Sequence, residues 1–220
     1  MFNFRHDIIA ERFPQDDFQL STRALSPAHV SSKRAFDYAV ATLLLIPLTF
    51  CALWLLLLNP FLNAGPLFFR QERMGRQCAP FTVYKFRSMV PAKGGERGAF
   101  DTLETDRITR LGHLLRRMRL DELPQIINVL RGEMSLIGPR PDSYAHARIY
   151  VREIPGYRER HQVLPGISGL AQTQIGYVDG LEGIQRKVAA DAHYIRHASL
   201  TLDLWIAWRT ICVVLGRRGA

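Results

Sequence analysis

Apolar residues are concentrated in an uncharged run from residue 39 to residue 58, the longest such run in the 220-residue chain. A helix rises about 1.5 Å per residue, so this run is long enough to reach across a bilayer core of about 30 Å. Pro47 lies near its middle, where it removes a backbone hydrogen bond and is expected to kink the helix. The pattern predicts a membrane helix that bends at Pro47.

The charges beside this run indicate how the helix meets the membrane. Lys33 and Arg34 precede the run, and Arg70 and Arg73 follow it. A helix that crosses the bilayer carries its cationic excess on one side, so cations at both ends favour a re-entrant helix that returns to the face it entered from. A kinked spanning anchor and a buried core helix are the alternatives.

Two short segments after this run, residues 65–71 and 81–87, are rich in aromatic and β-branched residues and predict a β-hairpin. Alternation along the second strand places Lys85 and Arg87 on the same side, where they could reach one anion together. Solvated charges on an edge strand are the alternative interpretation. Residues 91–105 hold two adjacent glycines among mixed charges and predict a loop.

The remaining apolar positions recur with helical spacing. Ile108, Leu111, Leu115 and Met118 form one stripe, which predicts a basic amphipathic helix suited to a membrane surface, with a solvated basic helix as the alternative. Further helices are predicted at 144–160, with an interruption at Pro155-Gly156, at 184–197 and at 200–215. The last of these carries Trp205 and Trp208, which favour a membrane interface.

The pattern as a whole predicts a helix-rich α+β fold. A weakly ordered tail covers residues 1–32 and the re-entrant membrane helix covers 33–60. Residues 61–220 form a compact cytosolic domain, with a small β-hairpin and amphipathic interfacial helices.

The candidate chemistry centres on two adjacent carboxylates, Asp121 and Glu122, which follow an arginine-rich segment. Asp121 is predicted to be the N-cap of an apolar helix that has Pro124 in its first turn and ends at Gly132. The positive end of the helix dipole would keep its carboxylate ionised. A cap alone would explain Asp121, but nearby arginines make an anionic nucleophile in a phosphate-binding site the competing hypothesis.

Arg140 is the second candidate for phosphate binding. Prolines on both sides restrict its backbone, and Gly138 permits a close approach of another segment. A guanidinium held in this way suits bidentate recognition of phosphate, with a structural turn as the alternative. Asp191, His193 and His197 have spacing compatible with a metal-binding helix face, but a lone histidine pair is too weak a signal to predict a metal site.

Charge and cysteine content narrow the classes of function. The net charge of +9 is compatible with nucleic acid, an anionic membrane surface or phosphorylated substrates, and does not choose among them. Cys51, Cys78 and Cys212 are odd in number and scattered, so they predict neither a disulfide framework nor a zinc site, and a reducing compartment is expected.

Several motifs of the chain occur in the order found in one family. They are Lys33-Arg34-Ala35-Phe36-Asp37, residues 65–73 and 84–89, Leu120-Asp121-Glu122-Leu123-Pro124-Gln125, Gly138-Pro139-Arg140-Pro141 and Pro165-Gly166-Ile167-Ser168-Gly169. Over roughly residues 33–215 the chain resembles the bacterial sugar transferases of the monotopic phosphoglycosyl transferase superfamily.

The resemblance implies transfer of a phosphosugar from a UDP-sugar to polyprenol phosphate, normally undecaprenyl phosphate, at the start of exopolysaccharide or glycoconjugate synthesis. The products would be UMP and a polyprenyl-diphosphate sugar. It further implies that Asp121 is the nucleophile of a covalent phosphosugar intermediate, that Glu122 is the neighbouring catalytic carboxylate and binds Mg²⁺, and that Arg116 and Arg140 bind phosphate. The expected location is the cytosolic face of the bacterial inner membrane.

Two rival functions stay open. One is a membrane-anchored basic module that binds anionic lipid or nucleic acid, although the resemblance itself implies no nucleic-acid partner. The other is a phosphohydrolase that uses the same carboxylate with water as acceptor. Leu164 and Leu170 stand where the family pattern has Arg and Trp, which leaves donor binding open. The sugar, the glycan pathway and the oligomeric state, with a homodimer among the alternatives, are also open.

Overall fold

The structure is a computed structural model, which describes residues 27–91, 98–101, 105–175 and 180–216. The first 26 residues of the predicted tail, and much of the predicted loop at 91–105, lie outside the described residues. The helix-rich α+β class is confirmed, with two small two-stranded sheets among the helices.

The apolar run forms a 36-residue helix, α1 (Pro27–Leu62), which continues through Pro47. The helix begins six residues before the predicted boundary at residue 33. Ala41, Leu48 and Leu55 are buried and recur every two turns, so one face of α1 packs on the protein core. The other positions expose large apolar side chains, among them Leu43, Ile46, Phe50, Leu53, Leu57 and Phe61.

Polar contacts fix the amino-terminal part of α1. Lys33 Nζ lies 2.8 Å from Asp203 Oδ2. Arg34 donates to the carbonyl oxygen of Met134 at 3.0 Å. The fully buried carboxylate of Asp37 accepts a hydrogen bond from the backbone N–H of Leu136 at 3.0 Å.

A second set of polar contacts fixes the carboxyl-terminal end of α1. Asn59 donates to the carbonyl oxygen of Gly65 at 2.6 Å, and Asn63 donates to that of Arg87 at 2.8 Å. The Arg87 guanidinium donates to the carbonyl oxygens of Pro66, at 2.8 Å, and of Asn63. Both ends of α1 are therefore attached to the same protein body.

The predicted hairpin is confirmed, with bounds shifted by a few residues. Strands β1 (Phe68–Met74) and β2 (Pro80–Phe86) pair antiparallel, with Gln71 opposite Val83. The connecting loop holds a short 3-10 turn, Arg76–Cys78.

The next helices lead directly into the candidate site. Helix α2 (Arg110–Arg117) is capped by the Thr109 side chain and buries Leu111 and Leu115, as its stripe predicts. A 3-10 helix (Leu120–Gln125) runs into α3 (Ile126–Leu130), and Gly132 follows in the left-handed conformation at φ 81°, which confirms the predicted stop.

A parallel pair of short strands, β3 (Ser135–Ile137) and β4 (Gly166–Ser168), was not predicted, since both segments look like glycine-rich turns. Three glycines make this pairing close. A Cβ on Gly166 would lie 2.1 Å from the backbone nitrogen of Gly138, and one on Gly169 would lie 2.3 Å from the Gly138 carbonyl oxygen. The prediction that Gly138 permits close approach is confirmed.

Of the remaining helices, the short one that begins at Leu170 was not predicted, and the others lie close to their predicted positions. The remaining helices are α4 (Tyr144–Glu153), a 3-10 helix (Arg158–Gln162), α5 (Leu170–Gln174), α6 (Gly180–His197) and α7 (Leu200–Leu215). Leu170, at the start of α5, is buried in a core cluster with Ile137, Tyr194 and Ile206. These helices support the segment between β3 and α4, which carries Arg140.

We expect Gly166→Ala to destabilise the fold by about 3 kcal/mol. The added methyl group would overlap backbone atoms of Gly138, and these cannot shift without moving the strand β3 to which they are joined. Gly180→Ala is the matched control. Gly180 has φ +72° but no atom within 4 Å of the methyl group that alanine would add, so only conformational strain of about 1 kcal/mol is expected. Chemical denaturation of the purified protein measures both values, and equal losses in the two variants would contradict the proposed overlap.

Candidate active site

Glu122 is the most heavily paired carboxylate of the site. It is 7% exposed and lies in the 3-10 helix between α2 and α3. Arg140 donates to both of its oxygens, at 3.0 Å to Oε2, and Lys85 Nζ lies 3.4 Å from Oε1. Arg119 Nη1 lies 3.8 Å from Oε2. Burial alone would raise the pKa of Glu122, but Arg140 and Lys85 hold it well below its usual range.

Asp121 differs from its neighbour although it is equally buried, at 7% exposed. Among the residues that the structure describes, no group donates a hydrogen bond to the Asp121 carboxylate. Burial and the adjacent Glu122 raise its pKa, while Lys85, Arg116 and Arg140 act in the opposite direction. Asp121 is therefore a carboxylate with unused lone pairs, held within the field of three cations.

Besides Arg140, two more cations of the site come from the predicted set. Lys85 projects from the end of β2 toward Glu122, and burial lowers its pKa to about 8 against the opposing effect of Glu122. Arg116, in the last turn of α2, is close enough to favour the ionised form of Asp121, and its Nη1 lies 3.6 Å from Met89 Sδ. Together with Arg119 and Arg140, these cations outnumber the two carboxylates, which suits an anionic ligand.

The segment that presents Arg140 is held at four successive carbonyl oxygens. Gly166 N–H donates to Pro139 O at 2.9 Å, and Met74 N–H donates to Asp142 O at 3.2 Å. The guanidinium of Arg73 donates to Pro141 O at 2.7 Å. The fourth bond, to the carbonyl oxygen of Arg140 itself, comes from Arg160 at 2.6 Å. These four hydrogen bonds constrain the backbone around Arg140, in addition to the restriction that its two prolines impose.

The prediction that Asp121 is a helix N-cap is wrong. Arg119 precedes the 3-10 helix in the left-handed conformation, at φ 56°, so the helix begins at Leu120 and Asp121 lies inside its first turn. Burial, rather than a capping position, is the largest influence on the Asp121 carboxylate. The left-handed turn at Arg119 also brings its guanidinium toward Glu122.

Arg87 does not join Lys85 at the site. Its guanidinium is bound to the carbonyl oxygens of Pro66 and Asn63, beside the end of α1. The expectation that Lys85 and Arg87 reach one anion together is therefore wrong, because the strand ends at Phe86 and the alternation of side chains ends with it.

The donor set limits how a metal ion could bind. No group of three or more His, Cys, Asp or Glu side chains lies together within the described parts of the chain. Asp191 is buried in an ion pair with Arg160 at 2.8 Å, whereas His193 and His197 stack on one another, so these three side chains do not form a metal face. The adjacent carboxylates Asp121 and Glu122 fit Mg²⁺ only as a site completed by water and substrate phosphate oxygens, which is how Mg²⁺ is usually bound.

Sequence reasoning missed the buried ion pair behind Arg140. Arg160 and Asp191 are 3% and 1% exposed and pair with each other. Arg160 lies in an ordinary run of charged residues, Arg158-Glu159-Arg160-His161, which is typical of a solvated surface. Nothing in that local pattern distinguishes it from the exposed Arg158.

Comparison with known protein families shows which family the chain belongs to. The family model described as bacterial sugar transferase matches residues 28–217, which includes every residue of the site described above. The chain belongs to the bacterial sugar transferase family.

Named relatives of this bacterial sugar transferase act on undecaprenyl phosphate. It is 40% identical over 206 residues to the UDP-N-acetylgalactosamine-undecaprenyl-phosphate N-acetylgalactosaminephosphotransferase of Aeromonas hydrophila, covering 92% of this chain and 48% of the relative. The UDP-glucose:undecaprenyl-phosphate glucose-1-phosphate transferases of Escherichia coli K12 and Caulobacter vibrioides are 39% and 42% identical, over 96% and 81% of this chain. The chain spans 46% of the former and 68% of the latter, so it corresponds to about half of the first two relatives.

The different pairing of the two carboxylates predicts different effects on stability. Glu122→Gln leaves Arg140 and Lys85 without their buried counter-charge, and we expect it to lower the free energy of unfolding by about 2 kcal/mol. Asp121→Asn removes a charge that has no hydrogen bond and adjoins Glu122, so the stability should stay equal or rise by up to about 1 kcal/mol.

Unfolding in detergent micelles measures both variants. Glu182→Gln is the control, because the exposed Glu182–Arg186 pair should contribute less than about 0.5 kcal/mol. An Asp121→Asn variant that loses as much stability as Glu122→Gln would show that the two carboxylates are held in the same way.

Proposed function

We propose that this member of the family is a phosphoglycosyl transferase. It transfers a sugar 1-phosphate from a UDP-sugar to polyprenol phosphate, giving UMP and a polyprenyl-diphosphate sugar, and so begins exopolysaccharide or glycoconjugate assembly. The observation that carries the proposal is the buried pair Asp121–Glu122 among an excess of cations, in a chain whose relatives are named for this reaction class. The UDP-sugar and the polyprenol phosphate are proposed partners on the same grounds.

The proposed chemistry has two displacement steps on phosphorus. Asp121 attacks the sugar-bearing phosphate of the donor, an aspartyl–phosphate bond forms, and the bond to the UMP leaving group breaks. A phosphate oxygen of the lipid acceptor then attacks the same phosphorus, and the Asp121 carboxylate is released. Splitting the reaction in this way lets one site serve a soluble donor and a lipid acceptor in turn.

The cations of the site supply what these steps require. A carboxylate attacks a diphosphate poorly unless the negative charge of both partners is compensated. Lys85, Arg116 and Arg140 lie within electrostatic reach of Asp121 and also of a phosphate placed beside it. Glu122 holds Arg140 and Lys85 in place through its own ion pairs, which frees Asp121 for bond formation.

Mg²⁺ is the proposed cofactor, with Glu122 as its protein ligand and the adjacent Asp121 carboxylate in reach. When bound, the ion would neutralise charge on the donor diphosphate and the departing UMP. Because both Glu122 oxygens already contact cations, metal binding requires a contact with Arg140 or Lys85 to lengthen. A donor phosphate would provide a replacement partner for the displaced cation.

We further propose that α1 enters and leaves the bilayer on the cytosolic face of the bacterial inner membrane. Among the described residues, α1 is the one helix long and apolar enough to cross a membrane. A helix that crossed the membrane would have its two ends on opposite sides of the bilayer. Lys33 at one end and Asn63 at the other nevertheless both bind residues of the same globular part of the protein. Pro47 lacks a backbone donor, and Thr49 bonds the carbonyl oxygen of Leu45 at 2.9 Å, two features that favour a bend.

The last helix supports the same placement. Leu204, Trp205, Trp208 and Ile211 are exposed on α7, with Trp208 at 62%, while Asp203 on its other face is buried against α1. An exposed stripe with two tryptophans suits the headgroup region, where one face of a helix is apolar and the other contacts protein. The site would then lie at the depth of the acceptor phosphate, on the side where UDP-sugars are made.

Asp121→Asn should abolish both UMP release and covalent labelling. Purified protein is incubated with Mg²⁺, a panel of UDP-sugars labelled in the β-phosphate, and undecaprenyl phosphate. We expect the wild type to release UMP and, when the acceptor is withheld, to retain label on Asp121 by peptide mapping. Asp106→Asn, a change at an exposed aspartate, serves as control and should keep activity within twofold.

Three results would contradict the proposed function. Full turnover by Asp121→Asn would exclude the covalent step. Labelled sugar phosphate released into water without a lipid product would identify a phosphohydrolase. Lipid or nucleic-acid binding with no UMP release from any donor would indicate a binding module.

The re-entrant topology predicts that both ends of α1 are inaccessible from outside the cell. Single cysteines are placed at the exposed positions Ser32 and Arg70, in a background without Cys51, Cys78 and Cys212. A membrane-impermeant maleimide applied to spheroplasts should label neither, and should label both after lysis. External labelling of either cysteine would establish a spanning helix instead.

A further inference from the structure

A buried ion cluster lies behind the active site and has no part in the chemistry proposed above. Arg160, on the 3-10 helix Arg158–Gln162, is its centre and is 3% exposed. Its Nη2 lies 2.8 Å from Asp191 Oδ2, and its Nη1 lies 2.5 Å from Asp142 Oδ2. Lys187 binds the other oxygen of Asp142 at 2.6 Å. Two cations and two anions from three segments thus balance one another, with Arg160 and Asp191 buried and the side chains of Lys187 and Asp142 partly exposed.

The cluster reaches the site through one further hydrogen bond. Arg160 Nη2 donates to the carbonyl oxygen of Arg140 at 2.6 Å. The side chain of that same Arg140 donates to both oxygens of Glu122. Arg160 therefore holds the backbone of the residue whose guanidinium organises the catalytic carboxylate.

The Arg140 carbonyl oxygen is the one in its segment that Arg160 binds directly. Pro139 and Pro141 have no N–H to donate, so the segment is held through its carbonyl oxygens. Those of Pro139 and Asp142 are bound by backbone N–H groups and that of Pro141 by Arg73, whereas the Arg140 carbonyl is bound by Arg160. Releasing this bond would free the peptide plane next to the functional side chain.

We propose that Arg160 is a positioning residue for Arg140, oriented by Asp142 and Asp191, and that it acts on phosphosugar transfer only through the Arg140 backbone. The inference rests on the proposed function for its kinetic consequence. A buried ion cluster contributes little net stability, because desolvation offsets much of the attraction, but its hydrogen-bond geometry is strict. The planar guanidinium meets two carboxylates, a phenol and a carbonyl together, which the ammonium of a lysine cannot reproduce.

Arg160→Lys is the test, because it keeps the buried positive charge but removes the planar guanidinium with its several N–H donors. Arg158→Lys is the matched control, being the same change on the same short helix at an exposed position. We expect Arg160→Lys to reduce the rate of UMP release at least about tenfold, since small displacements of an aligned catalytic group have effects of this size. Arg158→Lys should stay within twofold of the wild type.

A double-mutant cycle separates positioning from a general structural role. In an Arg140→Lys background the guanidinium that Arg160 positions is gone, so adding Arg160→Lys should change the residual rate less than threefold. A tenfold loss in both backgrounds would overturn the proposal, because Arg160 would then act independently of Arg140.

Hydrogen exchange gives a readout that needs no activity. In Arg160→Lys, amides of residues 138–143 should exchange at least tenfold faster, while peptides from α1 and from the β1–β2 hairpin stay as in the wild type. Unchanged exchange at 138–143, or faster exchange throughout, would overturn the proposal. If the wild type releases no UMP, the proposed function fails, and this exchange result still decides whether Arg160 positions the segment.

Asp191→Asn provides a second variant should Arg160→Lys not fold. It keeps an acceptor oxygen for Arg160 but removes the charge that orients the guanidinium. We expect the same local increase in exchange at 138–143, with a loss of UMP release of about threefold. Wild-type exchange and wild-type rate in Asp191→Asn would count against the proposed orientation.

Discussion

The structure depends on the compensation of one buried charge, the carboxylate of Glu122. An ionised carboxylate removed from water is costly unless it is paired and hydrogen-bonded. Its partners come from separate parts of the chain: Lys85 from strand β2, Arg119 from the turn before the 3-10 helix, and Arg140 from the segment after β3. Bringing them together fixes the hairpin, the α2–α3 connection and the β3–β4 pair relative to one another. The ion pairs that build the candidate site therefore also hold these parts of the fold together.

The apolar helix α1 depends on contacts with the same part of the protein. Lys33, Asp37 and Asn63 attach α1 to the globular body at both ends, and the attachment through Asp37 is to the backbone of β3 at Leu136. Strand β3 leads within three residues to Arg140. The polar contacts that set the position of α1 therefore also hold the strand that leads to Arg140. The apolar helix and the candidate site share structural elements, which suits the proposed lipid-phosphate acceptor.

Local patterns predicted most of the helices and the hairpin, because each follows from periodicity along a continuous segment. They failed where a contact is set by distant segments. Asp121 looked like a cap because the left-handed turn at Arg119 leaves no signal in a single sequence. Arg87 looked like a partner of Lys85 because alternation was extended past the end of the strand, where Asn63 and Pro66 bind it. Arg160 is one of several charges in its run, and only the fold shows that it is buried.

Differences in pairing support the different roles proposed for the two neighbouring carboxylates. Both oxygens of Glu122 contact cations, so their lone pairs already accept hydrogen bonds and the negative charge is compensated. Asp121 shares the cationic surroundings without a hydrogen bond from any described residue, so its lone pairs are available and the field lowers the cost of bringing a phosphate near. A reversed assignment would require Glu122 to break contacts with Arg140 and Lys85 before it could attack. The asymmetry of pairing thus favours Asp121 as the proposed nucleophile and Glu122 as the residue that organises the cations around it.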